Sequence, residues 1–176
     1  MIRCFDLFFS LIGLIFLSPL IILIFFIGLF DSGSPLFIQS RVGYNLKSFS
    51  LIKFRTMPMG VRSAGTHLIK DIQLSSFGYF LRRTKLDEIP QLLNVLLGDM
   101  SLVGPRPCLF NQKKLINERK KRGVFKVRPG ITGLAAINGI DMKTPTLLAK
   151  TDQRMIKNMS LYNYFYFILK TIFKII

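Results

Sequence analysis

Residues that hold metals or disulfides are scarce in this sequence. Among 176 residues there are two cysteines, one histidine and no tryptophan. Cys4 and Cys108 form no CxxC pair and match no metal-ligand spacing, which argues against a zinc site or a disulfide framework and indicates a reducing compartment. His67 stands alone and is expected to be a surface residue or a satisfied buried one rather than a metal ligand.

Acidic residues are scarce as well, with nine Asp and Glu against 25 Lys and Arg and a formal net charge of +16. Such an excess favours partners that carry phosphate, namely nucleic acid, anionic lipid or a nucleotide-like substrate. The length and the hydrophobic content of 50% suit a single domain with its own core.

Charge is absent altogether from residues 7–30, LFFSLIGLIFLSPLIILIFFIGLF. A signal peptide has an apolar region of about 7–15 residues, whereas a membrane-spanning helix needs about 20, so a cleaved signal is disfavoured. Ser18 and Pro19 lie at the middle, where proline removes a helical hydrogen bond and predicts a break. The Ser18 hydroxyl is a nearby partner for the backbone groups that are freed.

Two paths through the membrane are open for this segment. Arg3 precedes it, while Arg41, Lys47, Lys53 and Arg55 follow it, and positive residues tend to stay on the cytoplasmic side. Basic flanks at both ends favour a helix, break, helix element that enters and leaves by one face, although a proline-kinked spanning helix has the same pattern. On either path the basic remainder faces the cytoplasm and the anionic inner leaflet.

The part that follows begins with two short β-rich runs. Residues 36–40 and 49–54 are expected to pair as a hairpin with a long loop, and residues 57–74 to form a connection. Alternation in the second run places Lys53 and Arg55 on one side, beyond an apolar pair, where they either bind a substrate or are solvated.

Helices are expected further along the chain. A short amphipathic helix is predicted over residues 75–83, and a second one begins near Pro90 and ends at Gly98. Residues 129–133 are predicted to form turns, with Arg128 either near phosphate or solvated. Residues 161–176 suit a helix for core packing or the membrane interface, with an apolar face formed by Phe165, Ile168, Leu169, Ile172 and Ile176. The densest basic run suits a solvated helix face or a contact with lipid headgroups, and it consists of Lys113, Lys114, Arg119, Lys120, Lys121 and Arg122.

The adjacent carboxylates Asp87 and Glu88 allow a structural and a chemical interpretation. Because proline is tolerated in the first turn of a helix, Pro90 places Asp87 near the N-cap, where it would cap the helix while Glu88 complements the dipole. The same helix end favours phosphate, and the arginines on either side suit bidentate phosphate binding. These are Arg82, Arg83 and Arg106, the last held between two prolines. An aspartate kept ionised by such cations can attack phosphorus, and Glu88 would be available to hold Mg²⁺.

At these residues the chain resembles the small monotopic phosphoglycosyl transferases, which are bacterial sugar transferases. The resemblance covers nearly the whole chain and rests on the Ser18–Pro19 pair together with the segments GSPLFIQSRVGYN, KFRTM, FGYFLRRTKLDEIPQLLNVLLGDMSLVGPRP and VRPGITGLAAING. It implies a predominantly α-helical α+β fold. Residues 1–31 would form a re-entrant membrane helix, and residues 32–176 a cytoplasmic domain with a short β-hairpin and interfacial amphipathic helices.

The resemblance also implies a reaction. Asp87 would attack the β-phosphate of a UDP-sugar and expel UMP, and polyprenyl (undecaprenyl) phosphate would then take the phosphosugar, the initiating step of bacterial surface glycan synthesis. Glu88 matches the acidic partner associated with Mg²⁺, and Arg82 and Arg106 match basic residues of the active site. Asp152 matches a later acidic position that contacts substrate. The enzyme would lie on the cytoplasmic face of the inner membrane, in contact with anionic lipids.

This chain departs from the family pattern in two places. Where the family often reads GLAQVNGR, this chain reads GLAAINGID, so that Ala136 and Ile140 replace a glutamine and an arginine. Either Lys143 supplies the missing cation or the nucleotide sugar is bound differently. Tyr164 stands where the final helix of the family commonly has an aspartate.

Other functions remain open at this level. A membrane-anchored basic binding module would explain the charge and the apolar segment but not the acidic pair, and the sequence has no nucleic-acid-binding motif. A hydrolase would use the same acidic pair with water as the acceptor. An exposed apolar surface would serve lipid or a second copy of the chain, and the sequence does not indicate which sugar is transferred.

Overall fold

The computed structural model describes residues 1–58 and 74–175, so His67 and most of the predicted connection lie outside the described residues. Within these ranges the chain is a predominantly helical α+β protein with two two-stranded sheets, which confirms the predicted class. The helices are α1 Ile2–Ser32, α2 Ser76–Arg83, α3 Gln91–Leu97, α4 Lys113–Lys121, α5 Leu134–Ile137, α6 Pro145–Lys157 and α7 Leu161–Ile175. The strands are β1 Leu36–Val42, β2 Ser48–Phe54, β3 Ser101–Val103 and β4 Gly130–Thr132.

The apolar segment forms α1, in which the helical conformation continues through Ser18 and Pro19 without the predicted interruption. Pro19 has no N–H to offer the carbonyl of Ile15, and the Ser18 hydroxyl donates to that oxygen instead at 2.7 Å. This replacement keeps the backbone satisfied across the proline. Among the described residues, α1 is the one helix long and apolar enough to cross a membrane, by length and composition. Its re-entrant path stays a prediction.

One face of α1 packs against the rest of the chain at several points along its length. Around its middle, a Cβ atom on Gly13 would lie 3.2 Å from a methyl group of Leu92, so a small residue lets α1 approach α3 closely. Further along, Ile24 is buried in a cluster with Phe54 and Leu81. The opposite face is an exposed apolar stripe that includes Leu7, Phe8, Leu11, Ile12, Ile15, Phe16, Ile22, Leu23, Phe26, Ile27 and Phe30.

A buried carboxylate joins the start of α1 to β3 and α7. Oδ1 of Asp6 accepts hydrogen bonds from the Ser101 hydroxyl at 3.0 Å, the Leu102 backbone N–H at 2.9 Å and the Tyr164 hydroxyl at 2.9 Å. Burial and the neighbouring Asp6 raise the pKa of Tyr164 well above its usual range, so Tyr164 stays a hydrogen-bond donor. Arg3 donates to the carbonyl oxygens of Val95 and Met100 at the end of α3. The departure at Tyr164 therefore has a structural role.

The predicted hairpin is confirmed, with strands slightly longer than expected. β1 and β2 pair antiparallel from Leu36 opposite Phe54 to Val42 opposite Ser48. A 3-10 turn over Tyr44–Leu46 joins them, in which Asn45 and Leu46 have positive φ angles of 50° and 63°. The hairpin positions the site because Phe37, Gln39 and Arg41 lie on one face of β1 together with Lys53 across from Phe37.

A second, parallel pair was not predicted. β3 pairs with β4, with Ser101 opposite Gly130 and Val103 opposite Thr132, so Gly130, expected at a turn, instead begins a strand. Gly104 and Gly130 approach so closely that a Cβ atom on Gly130 would collide with the backbone of Gly104. The pair fixes the point at which the chain leaves β3 and enters the GPRP segment.

The helices predicted from the sequence are present, but the residues that they bury agree only partly with the predicted apolar faces. α2 is confirmed, with Ser75 as N-cap accepting from the Gly78 N–H, and Gly98 ends α3 at a left-handed φ of 93°. In α7 the core residues are Tyr164 and Phe167, whereas the side chain of Leu169, expected on the same apolar face as Phe165, is exposed. Because α7 is apolar on nearly all sides, the spacing of its apolar residues does not show which side packs into the core.

The Asp6 cluster generates a stability prediction. Asp6→Ala leaves three donors without their acceptor, two of them in fully buried hydrogen bonds, and at about 1–3 kcal/mol for each unsatisfied buried group we expect a loss of about 3 kcal/mol of unfolding free energy. Thermal unfolding of the purified protein in lipid nanodiscs measures it. The control is Asp31→Ala, which removes an exposed acceptor of the Ser75 hydroxyl. Equal effects of the two substitutions would contradict the account.

Candidate active site

The two adjacent carboxylates lie in a 3-10 turn, Leu86–Glu88, between α2 and α3. Lys85 precedes the turn in a left-handed conformation with φ of 59°. Leu86 packs into the cluster of Ile24, Phe54 and Leu81, which anchors the turn. The acidic pair is thereby fixed directly against α1 and β2.

Asp87 does not cap α3, so the capping interpretation was wrong. The N-cap position is Pro90, and no side chain caps this helix end. The Asp87 side chain is buried, and among the described residues no hydrogen bond to its carboxylate is formed. The extra 3-10 turn separates Asp87 from the first amide groups of α3. Its oxygens are therefore not occupied by the protein backbone.

Glu88 is held by Arg106, whose Nη2 lies 2.5 Å from Oε1. The segment that carries Arg106 is fixed at three consecutive carbonyl oxygens. The carbonyl oxygen of Pro105 accepts a hydrogen bond from the Gly130 N–H at 3.0 Å. The carbonyl oxygen of Arg106 accepts one from Nη1 of Arg119 at 2.8 Å, and the carbonyl oxygen of Pro107 accepts one from Nη1 of Arg41 at 3.3 Å. Arg106 therefore presents its guanidinium from a rigid backbone.

Arg119 and Asp152 form a fully buried ion pair behind this segment. Nε and Nη2 of Arg119 approach the same oxygen, Oδ2 of Asp152, at 2.9 and 2.7 Å. Oδ1 of Asp152 has no hydrogen-bond partner among the described residues. The expected solvated face of α4 was thus wrong for Arg119. The substrate contact of Asp152 stays a prediction, since its observed partner is Arg119.

Cations surround the acidic pair. Five charges act on Asp87, Glu88 or their neighbours, and they belong to Arg41, Lys53, Arg82, Lys85 and Arg106. Set against two carboxylates, they leave the immediate site three charges positive. Arg82 is oriented by a 2.8 Å hydrogen bond from its Nε to the Thr56 hydroxyl. Such an excess attracts an anion with several negative charges.

The two carboxyls have opposite pKa shifts. Burial and the charge of Glu88 raise the pKa of Asp87 to about 6, against the opposing effects of Lys53, Lys85 and Arg106. Burial alone would also raise the pKa of Glu88, but the charge and hydrogen bond of Arg106 outweigh it and the pKa lies below its usual range. The cations only partly offset the rise, and a pKa of about 6 still leaves Asp87 mostly ionised at neutral pH.

Other predicted site residues lie elsewhere. Arg55 donates to the carbonyl oxygens of Ser34 and Leu36 and ties β2 to the end of α1. Arg128 donates to the Gly98 carbonyl oxygen and lies over the Tyr44 ring, at the rim of a cleft of about 370 Å³ that Asp87 and Glu88 do not line. The substrate-binding roles of Arg55 and Arg128 stay predictions.

Two further residues also lie apart from Asp87 and Glu88. They are Ile140, which stands where the family often has an arginine, and Lys143, which was suggested to replace that arginine. Ile140 packs against the core cluster of Val42, Cys108 and Leu115, and the side chain of Lys143 is exposed. No ion pair joins Lys143 to the acidic pair in the described part of the chain. Sequence reasoning missed Arg41, Lys85 and Arg119 as site residues. Only the alternation of β1, which places Arg41 on the face of Phe37 and Gln39, would have indicated one of them.

With this geometry in place, the class of the protein is that of a transferase. The chain belongs to the bacterial sugar transferase family, whose sequence profile matches residues 1–176. It is similar to the uncharacterized sugar transferase EpsL of Bacillus subtilis, with 44% identity over 138 residues, 78% of this chain and 68% of the relative.

Two relatives are named for a reaction. The undecaprenyl-phosphate glucose phosphotransferase of Komagataeibacter xylinus is 41% identical over 146 residues, 78% of this chain and 27% of the relative. The undecaprenyl-phosphate galactose phosphotransferase of Salmonella typhimurium is 33% identical over 189 residues, 96% of this chain and 39% of the relative. The chain thus spans well under half the length of these two relatives.

The carboxyl chemistry generates a prediction about pH. In the metal-free protein Asp87 is expected to lose its negative charge as the pH falls through about 6. Because the ammonium of Lys53 favours the ionised form, Lys53→Met should raise the pKa of Asp87 further. Carboxyl ¹³C NMR, with Asp87→Asn for assignment, measures both titrations.

Lys47→Met is the matched control, since Lys47 is exposed beside the hairpin turn. It should leave the titration of Asp87 unchanged. A titration near the usual aspartate value of about 4, or one that does not respond to Lys53→Met, would contradict the described electrostatics.

Proposed function

We propose that this chain transfers a sugar-1-phosphate from a UDP-sugar to polyprenyl phosphate and releases UMP, through a covalent phosphosugar on Asp87. The observation that carries the proposal is a buried carboxylate without a hydrogen-bond partner among the described residues, set in a cluster of five cations. The relatives named as undecaprenyl-phosphate glucose and galactose phosphotransferases support the same chemistry.

The proposed reaction has two displacements at one phosphorus atom. A carboxylate oxygen of Asp87 attacks the β-phosphorus, and the bond from that phosphorus to the oxygen bridging to UMP breaks, so its electron pair leaves with UMP. An oxygen of polyprenyl phosphate then attacks the same phosphorus and the bond to Asp87 breaks. The products are UMP and a polyprenyl diphosphate sugar, and the carboxylate is regenerated without a net proton transfer.

The surrounding cations would stabilise the charge that develops in each step. Lys53 and Arg82 act directly on the Asp87 carboxylate, and Arg106 sits beside Glu88 on a fixed backbone. Preorganised cations at the position of developing charge need no reorganisation during the reaction. They also offset the repulsion between a carboxylate and a diphosphate.

Mg²⁺ is the proposed metal ion. The described residues hold no group of three or more His, Cys, Asp or Glu side chains, but Mg²⁺ is commonly bound by one or two carboxylates and substrate phosphates. Glu88 fits this role because Arg106 bonds only Oε1 and the low pKa of Glu88 keeps it ionised. When bound, the ion would neutralise phosphate charge.

The proposed location is the cytoplasmic face of the bacterial inner membrane. Residues 6 and 24 are about 27 Å apart along a helix, close to the hydrocarbon thickness of about 30 Å. Asp6 and Ile24 nevertheless pack against the same domain, which favours a segment that enters and leaves by one face. Other helices also carry exposed apolar side chains that would suit contact with lipid, and they include Tyr79, Phe80, Leu93, Leu97, Tyr162, Tyr166, Leu169 and Phe173.

A UMP assay tests the function. Purified protein is incubated with a panel of UDP-sugars, Mg²⁺ and polyprenyl phosphate, and one sugar should give sustained UMP release. Asp87→Asn should lower the rate by about a thousandfold or more, because the nucleophile is lost. Asp141→Asn, at an exposed aspartate outside the site, should leave it unchanged.

Two outcomes would contradict the proposal. Many turnovers of UMP release without polyprenyl phosphate would indicate a hydrolase. Absence of release with every nucleotide sugar would leave a membrane-anchored binding module as the better account.

A further inference from the structure

Arg41 is a site residue whose hydrogen-bonding capacity is incompletely used. Its Nη2 donates to Oε1 of Gln39 at 2.6 Å and its Nη1 to the carbonyl oxygen of Pro107 at 3.3 Å. The Nε–H is buried and has no hydrogen-bond partner among the described residues. An unsatisfied buried donor is unfavourable by about 1–3 kcal/mol, so this arrangement calls for an acceptor.

The charge of Arg41 is also unmatched. No carboxylate lies within ion-pair distance of it in the described part of the chain, and Glu88 is already bonded to Arg106. Arg41 lies near Arg106 and Glu88, since the charges of both act on it and it bonds the carbonyl oxygen of Pro107. Burial is the main cause that lowers the pKa of Arg41 to about 10, and the positive charge of Arg106 is the second.

The position of Arg41 on the hairpin connects it to the acidic pair. Arg41 and Lys53 lie on the same face of the β1–β2 hairpin, and the positive charge of Arg41 acts on Lys53 while the negative charge of Asp87 opposes it. Arg41, Arg106 and Lys53 therefore act electrostatically on the acidic pair or on one another. An anion with oxygens on more than one phosphorus would satisfy all three.

We propose that Arg41 is a substrate-binding residue, which together with Arg106 forms a two-arginine subsite for phosphate oxygens of a nucleoside diphosphate donor. The inference rests on the proposed function for the identity of the donor. The subsite itself would bind any diphosphate, including inorganic pyrophosphate. Guanidinium groups suit this ligand because each one can donate two parallel hydrogen bonds to phosphate oxygens.

A purely structural role for Arg41 would be to hold the Pro107 carbonyl oxygen. Such a role predicts that Arg41 behaves in the same way with and without a diphosphate. The proposed role predicts that the Nε–H of Arg41 acquires an acceptor when a diphosphate binds.

The test combines binding and kinetics. In ¹⁵N-arginine-labelled protein, inorganic pyrophosphate should shift the Nε–H resonance of Arg41 saturably, and inorganic sulfate at equal ionic strength should not. With the productive UDP-sugar, Arg41→Gln should raise KM about tenfold to a hundredfold, with a smaller effect on kcat. Arg41→Lys should recover part of this loss because it restores the charge.

Arg122→Gln is the matched control, since Arg122 pairs with Glu118 on α4 away from the acidic pair. It should change neither the resonance of Arg41 nor KM. A resonance of Arg41 that does not respond to pyrophosphate, or an unchanged KM in a folded Arg41→Gln protein, would overturn the inference. Because pyrophosphate binding is measured without turnover, its failure is distinguishable from failure of the proposed transfer reaction.

Discussion

The carboxylate of Asp87 is largely buried and receives no hydrogen bond from the described protein, and neighbouring cations favour its charged form. Burial and the adjacent Glu88 both disfavour ionisation, and they outweigh Lys53, Lys85 and Arg106 enough to raise the pKa of Asp87 to about 6. A desolvated carboxylate is a better nucleophile than one that is fully hydrated or capped. The cations that favour the ionised carboxylate are side chains of the kind that bind phosphate oxygens, so in the proposed reaction they would serve both groups.

The long apolar helix α1 and the acidic pair belong to one packed unit. Arg3 and Asp6 hold the beginning of α1 to α3 and β3, Gly13 lets it approach Leu92, and Ile24 packs with Leu86 just before Asp87. A shift of α1 would therefore also displace the turn that carries the carboxylates. This arrangement suits chemistry in which one substrate is soluble and the other is anchored in lipid.

Local signals in the sequence predicted local structure well. The β-rich runs predicted the hairpin, Ser75 the beginning of α2, and Gly98 the end of α3, because each depends on a few neighbouring residues. The pairing of β3 with β4 was missed, since each strand has three residues and its partner is distant in the sequence.

The composition of the site was only partly predictable for the same reason. Proximity in sequence indicated Asp87, Glu88 and Arg82, and the two prolines drew attention to Arg106. Arg119 lies in a basic run that suits solvent, and only the fold brings it to buried Asp152. A sequence also does not reveal which side chains are buried. From the sequence, the surrounding cations were expected to decide the ionisation of Asp87, whereas in the structure burial is the largest effect and raises its pKa.

The central claim is that a phosphosugar becomes covalently attached to Asp87, and mass spectrometry tests it most directly. The protein is treated with the productive UDP-sugar and Mg²⁺ in the absence of polyprenyl phosphate, then digested and analysed. The account predicts one added phosphosugar on the peptide that contains Asp87, which disappears when polyprenyl phosphate is supplied. Failure to find the adduct on Asp87 under conditions in which the complete reaction turns over would contradict the account.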